Sequence, residues 1–169
     1  MRAIVFAATV LTIAAAPFAE AAAKSCSSFA IITGFDAASS SVTLKTEKGR
    51  EGKFFPKPEG TPKTSKLPKK CSSKILKQDA FPVKTTGGKL TVTQVRQNFS
   101  NKMLNDTDDS AWLPAKLEEL IAGQTKVLVV ARPPLKDKKG AYGLTTIYLP
   151  ATQEDLDEIA RLDAQVEDE

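Results

Sequence analysis

Apolar and polar positions alternate in short runs along the first half of the chain. Residues 29–35 are apolar and rich in β-branched side chains, and residues 41–46 alternate strictly between the two kinds. Both patterns are typical of β-strands. Polar, small-residue or glycine-containing turns follow at 36–40 and 47–50, and residues 51–55 are predicted to return as a third strand. The first half therefore predicts a meander of antiparallel hairpins.

Three further strands are predicted in the second half. Residues 90–95 alternate again, and residues 126–131 form a continuous apolar run, which predicts a strand buried on both faces. Residues 142–149 are predicted to return as the partner of that buried strand, so the chain ends its strand-forming part with a hairpin.

Two helices are predicted from apolar positions at helical spacing. The first has Pro114 as its first helical residue and Gly123 as its stop. Its apolar face consists of Leu113, Leu117, Leu120 and Ile121. The second helix is predicted over 153–169, is rich in acids, and carries an apolar stripe. That stripe consists of Leu156, Ile159, Leu162 and Val166.

The first 23 residues have the composition of a cleaved secretory signal. Arg2 is followed by an apolar run and then by small residues that allow cleavage after Ala21 or Ala23. The apolar run, at about 16 residues, is shorter than the roughly 20 that a membrane-spanning helix needs. We therefore expect export to the periplasm or the exterior, a single domain over 24–150, and an acidic C-terminal helix or tail over 151–169.

The two cysteines, Cys26 and Cys71, are predicted to form a disulfide bond. Export brings them to an oxidising compartment, where an even pair usually bridges. The alternative of a nucleophilic thiol is disfavoured because the chain has no histidine to act as its base.

Composition favours a non-enzymatic protein. The absence of histidine excludes Ser-His-Asp and Cys-His arrangements and histidine-built metal sites, and no phosphate-binding loop is present. Spacing alone leaves a two-carboxylate glycosidase open, although a chain with one Trp and two Tyr has few aromatic walls for a sugar cleft. The Asp-rich stretch at 105–109 lacks the glycine and glutamate of a calcium-binding loop. No metal site and no cofactor are predicted.

Charge is distributed unevenly and supplies the main functional clue. Residues 45–102 hold 15 Lys or Arg against 4 Asp or Glu, whereas residues 103–169 hold 7 against 14. A Lys/Pro-rich loop at 57–77 is predicted to be extended, because proline lacks a ladder donor and lysines repel one another. Such a loop predicts binding of a polyanion, namely an anionic envelope polymer or lipid. The predicted binding residues are Lys57, Lys63, Lys66, Lys69, Lys70, Lys74 and Lys77.

Nucleic acid is a poorer candidate than an envelope polyanion. Its recognition needs aromatic platforms beside the basic residues, and an exported protein seldom meets it. Four phenylalanines are near enough in sequence to be considered, but phenylalanines in strands are more often core residues. They are Phe54, Phe55, Phe81 and Phe99.

Two alternatives to polyanion binding are kept. In one, the protein is an accessory module that docks an envelope protein through a barrel edge or through the stripe Leu156, Ile159, Leu162 and Val166. In the other, the lysines are solubilising surface, or the acidic C-terminal segment folds back on the basic loop and neutralises it.

The order of strands, then one helix, then a hairpin resembles exported bacterial OB-like domains of unknown function. The pieces that carry the resemblance are 32–36, 41–46, 120–124 before 127–130, and 144–148. The resemblance implies a mainly β, α+β fold: a small OB-like β-barrel of about five to six antiparallel strands, with one helix before the final hairpin. The Lys-rich insertion at 57–89 departs from the compact pattern. The resemblance implies no catalytic residues and no defined ligand.

Overall fold

The computed structural model describes residues 24–61, 67–84, 93–97, 102–104, 111–133 and 140–167, and within them it shows six strands and four helices. The strands are β1 (Cys26–Asp36), β2 (Ser41–Thr46), β3 (Phe81–Pro82), β4 (Gln94–Arg96), β5 (Lys126–Arg132) and β6 (Gly143–Tyr148). The helices are α1 (Glu51–Phe54), α2 (Ser73–Leu76), α3 (Trp112–Ala122) and α4 (Gln153–Glu167). The predicted signal segment at 1–23 lies outside the described residues.

β1 is the strand that joins the two halves of the sheet, because it pairs with β2 and with β5. The strand order is β3-β2-β1-β5-β6-β4. β2 pairs antiparallel with β1 from Ala30 to Asp36, and β5 pairs antiparallel with it from Cys26 to Ile31. A register shift between Ile32 and Gly34 bulges the strand, which bends it and increases its twist. The predicted strands at 29–35, 41–46, 126–131 and 142–149 are therefore all present.

The described strands form an open, mixed sheet, so the prediction of an antiparallel barrel is correct only at the level of a mainly β, α+β fold. β4 runs parallel to β6 rather than antiparallel, and β3 pairs with β2 over two residues. Successive N–H groups along a strand point to opposite sides, and Val83 donates to Ser40 on the β2 side (2.8 Å). The backbone N–H that Pro82 lacks would therefore point away from β2, to the side where Gly143 of β6 lies.

Side chains connect β3 to β6 where strand pairing stops. The Gln78 amide donates to the Tyr142 carbonyl (2.8 Å) and accepts from the Tyr142 N–H (2.9 Å). Thr93 is fully buried, and its hydroxyl donates to the Leu144 carbonyl (2.5 Å). The sheet is thus curled, with its β3 side brought against the start of β6.

α3 covers the inner face of the sheet, and the helix itself is the one that the sequence predicts. It begins at Trp112, two residues before the predicted Pro114, and its C-cap is Gly123, whose N–H donates to the Glu119 carbonyl (2.9 Å). The predicted face packs on the core beside β1: three of its leucines are at most 2% exposed, and Ile121 is half-buried. The buried leucines are Leu113, Leu117 and Leu120.

The outer face of β5 is covered by four aromatic rings, which we call the aromatic arch: Phe29, Phe54, Phe55 and Tyr148. Neighbouring rings along it meet edge to face at centroid distances of 5.1, 5.1 and 5.4 Å. Leu128 pairs with Phe29 on one side and Tyr148 on the other, and it is 3% exposed. The arch explains how Leu128, on the outer face of β5, is buried.

The predicted third strand at 51–55 is wrong, because residues 51–54 form the helical turn α1 and Phe55 is its C-cap. In a strand, Phe54 and Phe55 would point to opposite faces of the sheet. In the helical turn both rings reach the aromatic arch, Phe54 on Phe29 and Phe55 on Tyr148. Burial of both rings therefore favours the turn.

The predicted extended loop at 57–77 is also partly wrong, since α2 lies within it. Ile75 and Leu76 of α2 are half-buried against the core, which anchors this lysine-rich segment. Of the predicted strand at 90–95, the described part is Thr93 and the first residues of β4.

Candidate polyanion-binding surface

The segment 68–71 is fixed along the edge of β1. The predicted disulfide between Cys26 and Cys71 is present, with an S–S distance of 2.11 Å. The Ser27 N–H donates to the Lys69 carbonyl (2.9 Å), and the Cys71 N–H donates to the Ser27 carbonyl (2.9 Å). The Ser27 hydroxyl adds a bond to the Pro68 carbonyl (2.8 Å). This part of the Lys/Pro-rich loop is therefore held in one position.

The loop lysines that the structure describes are all exposed. Lys69 and Lys70 lie in the fixed segment, and Lys74 and Lys77 lie on and just after α2. Lys57 lies further away along the chain, between α1 and the outer end of the loop. The predicted residues Lys63 and Lys66 lie outside the described part of the loop.

A second basic group surrounds a shallow cavity of about 510 Å³, which we call the concavity. Four cationic side chains line it, and no described lining residue is acidic. Its floor is formed by Phe29 and Phe54 of the aromatic arch. The four cations are Lys48, Arg50, Lys53 and Lys126.

Strand register brings Lys126 to this cavity from a distant part of the sequence. Lys126 is the first residue of β5 and pairs with Ile31 of β1. Its ammonium donates to the Lys48 carbonyl and lies 5.3 Å from the centroid of the Phe29 ring. The Glu47 N–H in turn donates to the Phe29 carbonyl (2.9 Å), which fixes the start of the loop that carries Lys48 and Arg50.

The two basic groups are neighbours along the same edge of β1. Glu47 bonds to β1 at Phe29, and Lys69 and Cys71 bond to it at Ser27. Two strand residues span about 7 Å, so the backbones of the two segments follow one another closely. We call the combined region the basic surface; it consists of Lys48, Arg50, Lys53, Lys69, Lys70 and Lys126.

Sequence reasoning found one half of this surface and missed the other. Lys69 and Lys70 were predicted as binding residues, whereas Lys48, Arg50 and Lys53 were only part of the basic region, and Lys126 was assigned to a strand. The sequence feature that could have indicated this half is the glycine at position 49, in the middle of the basic turn. A Cβ atom there would lie 2.8 Å from the Phe29 ring, so the turn packs directly on that ring.

The candidate aromatic platforms are largely packed inside the protein. Phe81 is 1% exposed in the core, Phe54 is 7% exposed, and Phe55 is half-buried in the aromatic arch. Phe99 lies outside the described residues. The packing of these rings within the protein weakens the case for stacking of nucleobases.

We expect Gly49→Ala to lower the free energy of unfolding by about 1–3 kcal/mol, because the new methyl group overlaps the Phe29 ring. Gly52→Ala is the matched control, since a methyl group there meets nothing within 4 Å and favours the helical turn. Urea unfolding of both variants measures the difference. Equal stability of the two would contradict the packing of Gly49 on Phe29.

α4 is fixed against the body at both ends. The Gln97 amide donates to the Pro150 carbonyl (3.0 Å) and to the Asp155 carboxylate (2.8 Å) at the start of the helix. Near its end, the Asp163 carboxylate accepts from the Glu59 N–H (2.7 Å). The acidic segment therefore contacts the Lys/Pro-rich loop through a backbone group of that loop.

The apolar stripe of α4 is divided between the interior and solvent. Ile159 is 8% exposed, Leu162 is half-buried, and Leu156 is 42% exposed. The side chain of Val166 lies outside the description. On the opposite side, Arg161 pairs with Glu158 (2.6 Å), and this hydrogen bond lowers the pKa of Glu158. Docking of a partner through the stripe stays a prediction, with Leu156 as its accessible residue.

Within the described ranges, no three acidic or cysteine side chains are grouped so that they could hold a metal ion, and no helix there has the length and apolarity to cross a membrane. Comparison of the chain with protein-family models, with curated proteins and with solved structures finds no match.

Proposed function

We propose that this protein is a non-enzymatic binding module of the cell envelope that binds anionic polymers or lipids through its basic surface. The observation that carries the proposal is the gathering of cations from three separate segments beside one strand. The turn at 47–53, the fixed segment at 68–71 and the first residue of β5 all meet β1 or its neighbours. A concentrated positive field of this kind attracts polyanions.

Export to the periplasm or the exterior is part of the same proposal. The Cys26–Cys71 disulfide supports an oxidising compartment, where such bonds persist. The composition of residues 1–23 supports a cleaved signal. An envelope location would place the basic surface among anionic lipids and glycans, which are its proposed ligands.

We further propose that the fold is an opened relative of the OB-like barrel. The chain runs through β1 to β4, then α3, then the β5–β6 hairpin, and strands followed by one long helix and a final hairpin are expected of such a domain. The parallel strand β4 and the short helices α1 and α2 are departures from it. The approach of Pro82 to Gly143 supports this proposal, because it brings β3, one end of the sheet, against the start of β6, the strand next to the other end.

The test is a salt titration with a matched pair of double variants. Binding of the protein to lipopolysaccharide, an acidic polysaccharide and anionic-lipid vesicles is measured at about 50 and 200 mM salt. We expect binding to at least one ligand that weakens steeply with salt. Lys69→Gln/Lys70→Gln should weaken it about 30-fold at low salt, from roughly 1 kcal/mol per lysine near an anionic surface.

The control is Lys84→Gln/Lys116→Gln, which removes the same charge from residues beside β3 and on α3. It should change the affinity by less than about threefold, as expected for long-range charge alone. Absence of binding by the unaltered protein, or equal weakening in the two double variants, would refute a localised basic surface.

A further inference from the structure

We infer that the concavity is a binding site for a phosphate monoester group. The inference deepens the proposed function and rests on it, since it assigns to one part of the basic surface the terminal group that it recognises. The geometry of the cavity, the fixed position of Lys126 and the chemistry of anionic groups support it.

The concavity holds four positive charges around one opening. A group of like charges without a counter-charge is electrostatically unfavourable, and a bound anion relieves that repulsion. The nearby Glu47 carboxylate is directed to Lys45 (3.7 Å), and the described lining of the cavity contains no acid. The counter-charge is therefore expected from a ligand.

The ammonium of Lys126, and the backbone that carries the other cations, are held in place before any ligand binds. The Lys48 carbonyl fixes the ammonium of Lys126 beside the Phe29 ring. Arg50 is the residue just before α1, and its carbonyl accepts from the Lys53 N–H (3.2 Å). This bond fixes the backbone between the two residues, and both side chains line the same cavity.

The apolar floor favours charge recognition over stacking. Gly49 and Lys126 lie against the Phe29 ring, and Phe54 meets that ring edge to face. The Lys126 ammonium therefore occupies space beside the Phe29 ring that a flat ligand would need for stacking. An apolar floor does exclude water from one side of a bound anion, which strengthens its interaction with the surrounding cations.

Among the anionic groups of envelope molecules, the phosphate monoester matches this charge best. It carries about −1.5 to −2 charges at pH 7 and three acceptor oxygens. A carboxylate, a sulfate ester and a phosphodiester carry one charge each. Lysine ammonium and arginine guanidinium groups are the usual donors to phosphate. The shallow opening suits a terminal group on a larger lipid or glycan.

The first experiment compares two probes of matched shape, glucose 6-phosphate and glucose 6-sulfate, by NMR titration of the whole protein. We expect the phosphate to bind about fivefold to tenfold more tightly at pH ~7.5, and the preference to disappear at pH ~5, below the second pKa of phosphate near 6. Sulfate binding should not change with pH over this range, because its charge does not.

Variants locate the site and separate it from the proposed function. Lys53→Gln and Lys126→Gln should each weaken phosphate binding about tenfold. Lys53→Gln is the decisive one, because Lys53 is exposed and its loss leaves the Lys126–Lys48 bond intact. Lys116→Gln on α3 and Lys69→Gln/Lys70→Gln should leave it nearly unchanged. Equal binding of the two probes at pH ~7.5, or no effect of Lys53→Gln and Lys126→Gln, overturns the inference even where polymer binding persists.

Two carriers distinguish the source of the phosphate. Vesicles containing phosphatidic acid are compared with vesicles containing phosphatidylglycerol, and a phosphorylated mannan is compared with a sulfated one. If the protein prefers phosphatidic acid in the first pair, the phosphate belongs to a lipid; if it prefers the phosphorylated mannan in the second pair, the phosphate belongs to a glycan. In either case Lys53→Gln must abolish the preference. The absence of preference in both pairs counts against the site.

Discussion

Replacing both cysteines, in Cys26→Ala/Cys71→Ala, is expected to lower the free energy of unfolding by about 4 kcal/mol. The bond joins residues 45 positions apart, and in the chain-entropy model a loop of this length restricts the unfolded chain by that amount. Since folded domains have only about 5–15 kcal/mol of stability, the variant should be close to unfolding. Urea unfolding monitored by circular dichroism measures the effect.

Reduction supplies the control for this experiment. A reductant should destabilise the unaltered protein by a similar amount and leave the double variant unchanged. A double variant as stable as the oxidised protein would show that the link contributes little to folding. Binding to polyanions should also weaken in the double variant, because the segment that carries Lys69 and Lys70 loses one of its attachments to β1.

Leu117→Ala is expected to lower the free energy of unfolding by about 2–5 kcal/mol, whereas Leu156→Ala should change it by less than about 0.5 kcal/mol. Both leucines lie on helices, but Leu117 is fully buried under the sheet and Leu156 is 42% exposed on α4. The same deletion of three carbon atoms therefore creates a cavity in one case and removes exposed apolar surface in the other.

Thermal and urea unfolding of the two leucine variants tests this difference directly. A large loss on Leu156→Ala would mean that α4 is packed more deeply than its exposure indicates. The variant has a second use: if a partner protein docks through α4, Leu156→Asp should abolish that binding without loss of stability. Salt should affect such apolar docking little, which distinguishes it from polyanion binding.

Local patterns were sufficient to predict most elements of the fold. β2 was predicted at its observed bounds, and α3 was identified from leucine spacing with Gly123 as its end. α1 was missed because residues 51–55 have too few positions for a period of two to be told from a helical turn. The parallel pairing of β4 with β6 depends on residues about fifty positions apart, which no local pattern encodes.

The candidate site shows the same division between local and distant information. The Cys26–Cys71 link followed from the cysteine count and the predicted export, and it holds Lys69 and Lys70 beside β1. The concavity did not follow, because it depends on the pairing of Ile31 with Lys126, a contact between distant strands. A lysine at the start of an apolar run has the same appearance in sequence whether it faces solvent or other cations.

The link between Cys26 and Cys71 also closes residues 26–71 into a covalent ring. Hydrolysis of any single peptide bond inside that ring leaves both fragments joined, so one cut does not divide the chain in two. The exposed lysines at 48, 53, 69 and 70 are cleavage points for trypsin-like proteases, and all of them lie within the ring. A protein that exposes so many basic residues thus keeps its parts covalently connected after a first cut.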